Sequence, residues 1–113
     1  MLGGDYNVIL FHILGPSIGS LDEIAHTAEL FGLDVEQVKG RSRTRNLVHA
    51  RQVAMYVCRE LTDLSYPQIG REFGDRDHTT VIHAYEKVAN LMQEKQETYD
   101  DVTALIQTLL AER

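Results

Sequence analysis

The sequence has a single cysteine, Cys58, so no internal disulfide is available, and a reducing, cytoplasmic setting is the expectation. It has no apolar run of the roughly 18 residues that a membrane helix needs, and no basic flank of a secretory signal at its N-terminus. It also lacks a G-x-x-x-x-G-K-[ST] phosphate loop, internal repeats and low-complexity tracts. No lysine or arginine occurs in residues 1–38. What is present, 113 residues with 43% hydrophobic content, fits one domain with one core.

The net charge of −6 taken whole argues against a nucleic-acid partner. Its distribution changes that. Residues 1–38 hold six acids and no base, giving −6. Residues 39–80 hold Lys39, Arg41, Arg43, Arg45, Arg51, Arg59, Arg71 and Arg76 against five acids, giving +3, and residues 81–113 give −3. Seven of the eight bases in the middle are arginine, whose planar fork pairs with phosphate or a guanine edge. The competing reading of that stretch is an ordinary solvated, charge-mixed surface.

The pattern predicts an all-α fold, a small helical bundle with an embedded helix-turn-helix and a basic loop. Residues 1–20 form a separate N-terminal segment, in which the apolar run Asn7 to Leu14 reads equally as a short strand or a helical turn between Gly3-Gly4 and Gly15-Pro16. The helical domain spans 21–113. Ser20 and Glu23 have capping-box spacing, Ile24, Ala28 and Phe31, with Leu21 and Leu30 alongside, make an apolar stripe, and Gly32 is a stop, so a helix is expected at about 21–31. Asp34 to Val38 adds one turn ended by Gly40. The basic loop, 39–46, has no apolar residue to bury and is expected to be exposed and mobile.

Leu47, Ala50, Ala54, Val57, Cys58 and Leu61 keep helical spacing over four turns, with Arg51, Gln52 and Arg59 off that stripe, on faces open to a partner. Cys58 lies on the stripe and reads as core. Ser65 caps a short helix with Pro67 in its first turn, ending at Gly74. Asp77 caps the next, striped by Val81, Ala84, Tyr85, Val88, Leu91 and Met92. Two helices joined by a short glycine turn make a helix-turn-helix at about 65–92. A last helix is expected at 98–112.

In that unit the second helix presents its first residues to base edges: here Arg76, Asp77, His78, Thr79 and Thr80. Arginine forks onto guanine, aspartate accepts from cytosine N4, histidine and threonine bond base or phosphate, and the threonine methyl meets the thymine methyl. The bland alternative makes Asp77 and the threonines caps and His78 a surface histidine. The arginine loop in front fits an arm lying in a neighbouring minor groove. No enzyme is expected: His78 and His83 are five apart rather than four, and Cys58 has no cysteine partner for a metal. Tyr56, Tyr85 and Tyr99 read as core or rim aromatics rather than stacking platforms for single strands.

Arg76-Asp-His-Thr-Thr-Val-Ile-His-Ala84, preceded by Glu60-Leu-Thr-Asp-Leu-Ser-Tyr-Pro-Gln-Ile-Gly70 and Ala50-Arg-Gln-Val-Ala-Met-Tyr56, resembles the C-terminal DNA-binding domain of the DnaA family of bacterial replication initiators, over residues 21–95. The resemblance implies binding of double-stranded DNA at short, asymmetric A·T-rich origin boxes by a monomeric domain. It implies Arg43 as the minor-groove arginine and Asp77, His78 and Thr79 as major-groove readers. Thr80, Gln52, Pro67 and Arg51 match positions that touch backbone or support base contact, and Arg45 and Arg59 match basic positions near phosphates. Two positions depart from the family pattern: Asp75 replaces a turn glycine, and Tyr66 replaces a branched aliphatic residue before the proline. Family members bind ATP through an upstream ATPase module whose phosphate loop this sequence lacks, so no cofactor is expected here. Residues 1–20 do not match the family's linker. A second reading keeps the same fold as a protein-interaction module, in which the acidic ends, 1–38 and 81–113, have overtaken DNA binding and the helical surface contacts a partner such as another replication-initiation protein. The charge of −6 and Asp75 favour it; the intact reading set and basic loop speak against it.

Overall fold

The computed structural model describes residues 20–111. The expectations for the N-terminal segment, and the Ser20 side chain on which the capping box depends, lie outside the described residues. Among the described residues the chain is all α: α1 Ser20–Phe31, α2 Val35–Lys39, α3 Arg45–Leu61, α4 Tyr66–Glu72, α5 His78–Glu94 and α6 Gln96–Ala111.

Local chemistry sets most of these ends. After α1 the Gly32 N–H donates to the Glu29 carbonyl at 3.1 Å and the Leu33 N–H to the Ala28 carbonyl at 2.8 Å, the paired bonds that close a helix C-terminus. At α2 the Asp34 N–H donates to Gln37 Oε1 at 2.9 Å. The Thr62 hydroxyl ends α3 by donating to the Cys58 carbonyl at 2.6 Å and accepting from the Leu64 N–H at 3.1 Å. Ser65 and Gln68 then form a capping box: the Ser65 N–H donates to Gln68 Oε1 at 2.8 Å and the Gln68 N–H to Ser65 Oγ at 3.3 Å. Only Lys95 separates α5 from α6, so the last helix starts two residues earlier than its apolar pattern suggests.

The centre of the bundle is α3, which contacts every other described helix. Its Val53, Tyr56, Val57 and Leu61 pack with Val88 of α5 and with Val102, Leu105, Ile106 and Leu109 of α6. Its Ala50, Ala54, Met55 and Cys58 pack with Ile24 and Ala28 of α1, Val38 of α2, Ile69 and Phe73 of the α4 region, and Val81 and Ala84 of α5. Cys58 is fully buried as expected; burial and then the Glu23 carboxylate push its thiol well above the ordinary value. Leu30 departs from the expected stripe and is 43% exposed. Among the described residues no helix is long and apolar enough to cross a membrane, and no group of three His, Cys, Asp or Glu side chains is placed to hold a metal ion.

Candidate nucleic-acid interface

The turn between α4 and α5 is tight because two backbones meet in it. The Arg76 N–H donates to the Gly70 carbonyl at 2.9 Å, and a Cβ on Gly70 would lie 2.2 Å from the Arg76 carbonyl oxygen. Only a glycine leaves room for that crossing. Gly74 and Asp75 follow with φ of 76° and 59°, so Asp75 holds the left-handed conformation for which glycine is the usual choice. Aspartate is among the few side chains that enter this region routinely.

Asp77 caps α5 in an extended conformation, and Asp77, His78, Thr79 and Thr80 are all exposed. The Thr79 hydroxyl donates to Asp77 Oδ2 at 2.8 Å, and His78 Nδ1 lies 3.0 Å from Asp77 Oδ1. The threonine hydrogen bond foremost, then the histidine, holds the Asp77 carboxyl below its ordinary range, so it stays an acceptor. Gln52 is half-buried on α3 and lines a shallow cleft with Thr80 and His83. Pro67 is exposed in the first turn of α4.

The basic loop differs from the expected mobile stretch 39–46. Lys39 belongs to α2, and Arg45 and Asn46 open α3, which leaves 40–44 outside helices. Arg43 and Arg45 are exposed, but the first residues of the loop are tied down. The Arg41 guanidinium donates to the Gly74 carbonyl at 3.0 Å, which joins the loop to the helix-turn-helix turn.

Two arginines expected to face a partner face inward. Arg51 is 6% exposed and donates to the carbonyls of Val38 at 2.7 Å, Ser42 at 2.9 Å and Gln37 at 3.2 Å. Its position looked open because one apolar stripe defined the helix, whereas α3 is packed nearly all round and the end of α2 needs donors for its free carbonyls. Arg76 lies outside α5, and its guanidinium donates to Phe73 at 2.5 Å, Gly40 at 2.6 Å and Lys39 at 3.2 Å rather than standing free at the helix start. Burial first, then the nearby Arg51 and Arg41 charges, lower the Arg76 guanidinium from its ordinary value, and it remains a cation. Arg59 is exposed, with its guanidinium over the Tyr66 ring.

The sequence reading gave no site role to Arg41, Gly70 or His83, which lie at the turn and in the cleft beside the start of α5. For His83 a signal existed: it stands four residues after Thr79, on the same side of α5. For Arg41 and Gly70 the partners lie 33 and six residues away, and neither bond has a spacing signature.

Residues 22–88, from α1 through most of α5, match the family model described as the bacterial DnaA protein helix-turn-helix. The chain belongs to this DnaA helix-turn-helix family. Among curated DnaA-family relatives, the chromosomal replication initiator protein DnaA of Clavibacter sepedonicus is 51% identical over 88 residues, covering 78% of this chain and 18% of that protein. The protein of the same name from Corynebacterium aurimucosum is 52% identical over 81 residues, 72% of this chain and 15% of its own length. The chain therefore spans less than a fifth of the DnaA relatives it matches. The DnaA model ends before α6, which nonetheless supplies one wall of the α3 core.

Proposed function

We propose that this DnaA-family domain binds double-stranded DNA in a sequence-specific manner at origin-type boxes and serves the initiation or regulation of chromosomal replication. The observation that carries the reading is the placement of Asp77, His78, Thr79 and Thr80, all exposed at the start of α5, beside an arginine loop that Arg41 and Arg76 tie to the same turn. In this reading α5 enters the major groove, with Asp77, His78 and Thr79 on base edges, and Arg43 enters the adjacent minor groove. Thr80, Gln52 and Pro67 lie against the sugar–phosphate backbone, and Arg45 and Arg59 meet phosphates. Arg51 and Arg76 hold the frame rather than the DNA. The domain acts as a monomer in the cytoplasm, and the role needs neither a cofactor nor a catalytic group from this chain.

The acids outside the basic stretch limit loose attraction to DNA, so binding depends more on base readout than on bulk charge. Fluorescence anisotropy with an origin-type box and a scrambled duplex, at two salt concentrations, tests the reading. The box is expected to bind more tightly, and Arg43→Ala or His78→Ala to cost about 1–3 kcal/mol on the box while relaxing base choice at one position. Equal binding to both duplexes by the unaltered chain would sink the proposal in favour of a protein-interaction module.

A further inference from the structure

A column of aromatic rings runs from the core to the surface beside the first turn of α4. Tyr56, buried in the core, stacks on Tyr85 with centroids 4.8 Å apart and planes at 23°. The Tyr85 hydroxyl donates to the Glu60 carboxylate, and its ring meets Tyr66 edge-on at 6.3 Å and 71°. Tyr66 in turn lies under Arg59, whose guanidinium carbon is 4.6 Å from the ring centroid. One Arg59 N–H donates to the Leu64 carbonyl at 3.1 Å. Each member is fixed by the one beneath it, and the column ends in an exposed cation.

A surface arginine samples many rotamers and loses that freedom when it grips an anion. A guanidinium held over an aromatic face has already lost much of it. Its donors radiate in the plane of the group, and contact with the ring plus one bond to a carbonyl leaves other N–H groups available. Leu64 takes one of the five donors and fixes the rotation of the group in that plane.

We propose that Tyr66 is a positioning residue for Arg59, presetting the guanidinium, with N–H donors still available, for a DNA backbone phosphate. The inference rests on the DNA-binding reading above. A phosphate contact carries no sequence information, so its loss weakens cognate and scrambled duplexes alike.

The test uses the full chain in anisotropy titrations against both duplexes, with Tyr66→Leu, Tyr66→Phe, Arg59→Ala and the Tyr66→Leu/Arg59→Ala double variant. Tyr66→Leu is expected to weaken both duplexes about two- to fivefold, and Tyr66→Phe to bind like the unaltered chain. Tyr66→Leu is expected to add nothing once Arg59 is alanine. A purely structural role would give the same loss in both backgrounds, and that result overturns the inference, as does an Arg59→Ala variant that binds normally. Arg59→Lys leaves the aromatic column intact and keeps the charge, but has no planar fork. Binding by Arg59→Lys equal to that of the unaltered chain likewise overturns the inference, and a twofold or greater loss supports it. An unaltered chain that fails to separate the two duplexes overturns the DNA reading itself, whereas normal discrimination with the same Tyr66→Leu loss whether residue 59 is arginine or alanine overturns only the role of Tyr66.

Discussion

Arginine is the residue whose role the sequence conveys least. Carbonyl oxygens and phosphate oxygens accept the same N–H groups, and residue type does not say which of the two a guanidinium will find. Arg43 and Arg45 stay outside, while Arg51 and Arg76 each serve three backbone carbonyls of the α2 end, the loop and the turn. The consequence is testable in stability rather than in DNA binding. Arg51→Met keeps the bulk of the side chain but leaves three carbonyls without their donor, and is expected to cost about 2–3 kcal/mol in urea denaturation. Arg51→Lys should recover little, because an ammonium cannot span carbonyls arranged for a planar fork. Full stability of Arg51→Met together with weakened DNA binding would return Arg51 to the list of direct contacts.

Among the elements, those whose ends are set by neighbours in sequence were legible: the stop at Gly32, the Ser65 and Gln68 box, Pro67 in its first turn, and Asp77 before α5. The exposed set at the start of α5 was legible for the same reason, since its members are consecutive. The anchoring of the basic loop was not, because Arg41 and Arg76 reach partners more than 30 residues distant, and an apolar-free stretch looks the same whether tied or free. Leu30 was misread because a stripe predicts a face and not how far the neighbouring helix extends over it. The crossing of α4 with the turn depends on a single missing side chain. Gly70→Ala would set a methyl group 2.2 Å from a backbone oxygen, and neither side is a flexible chain end that can swing away. An expected cost of about 3 kcal/mol, measured by thermal or urea unfolding, comes with lost discrimination between box and scrambled duplex, because α5 shifts against the loop. A Gly70→Ala variant as stable as the unaltered chain would mean that the turn has slack the structure does not show.

At the scale of the molecule, charge and packing divide the chain differently. The basic middle stretch holds the loop and the start of α5, and the acidic flanks include α1 and α6. Packing ignores that boundary: the apolar residues of α3 serve both clusters, one closed by α6 and the other by α1, α2 and α4. A helix shared by two cores cannot be exposed by undoing either one. Native-state hydrogen exchange should therefore find the amides of Val53 to Cys58 protected to the full free energy of unfolding, with α2, a five-residue helix, opening at a lower one. Equal protection in α2 and α3 would mean that the bundle opens as one unit. If the ranking holds, α2, which leads into the arginine loop, can loosen and re-form while the rest of the domain stays folded. In the DNA-binding reading proposed above, that loosening would let the arm leave one groove and enter another without the protein coming apart.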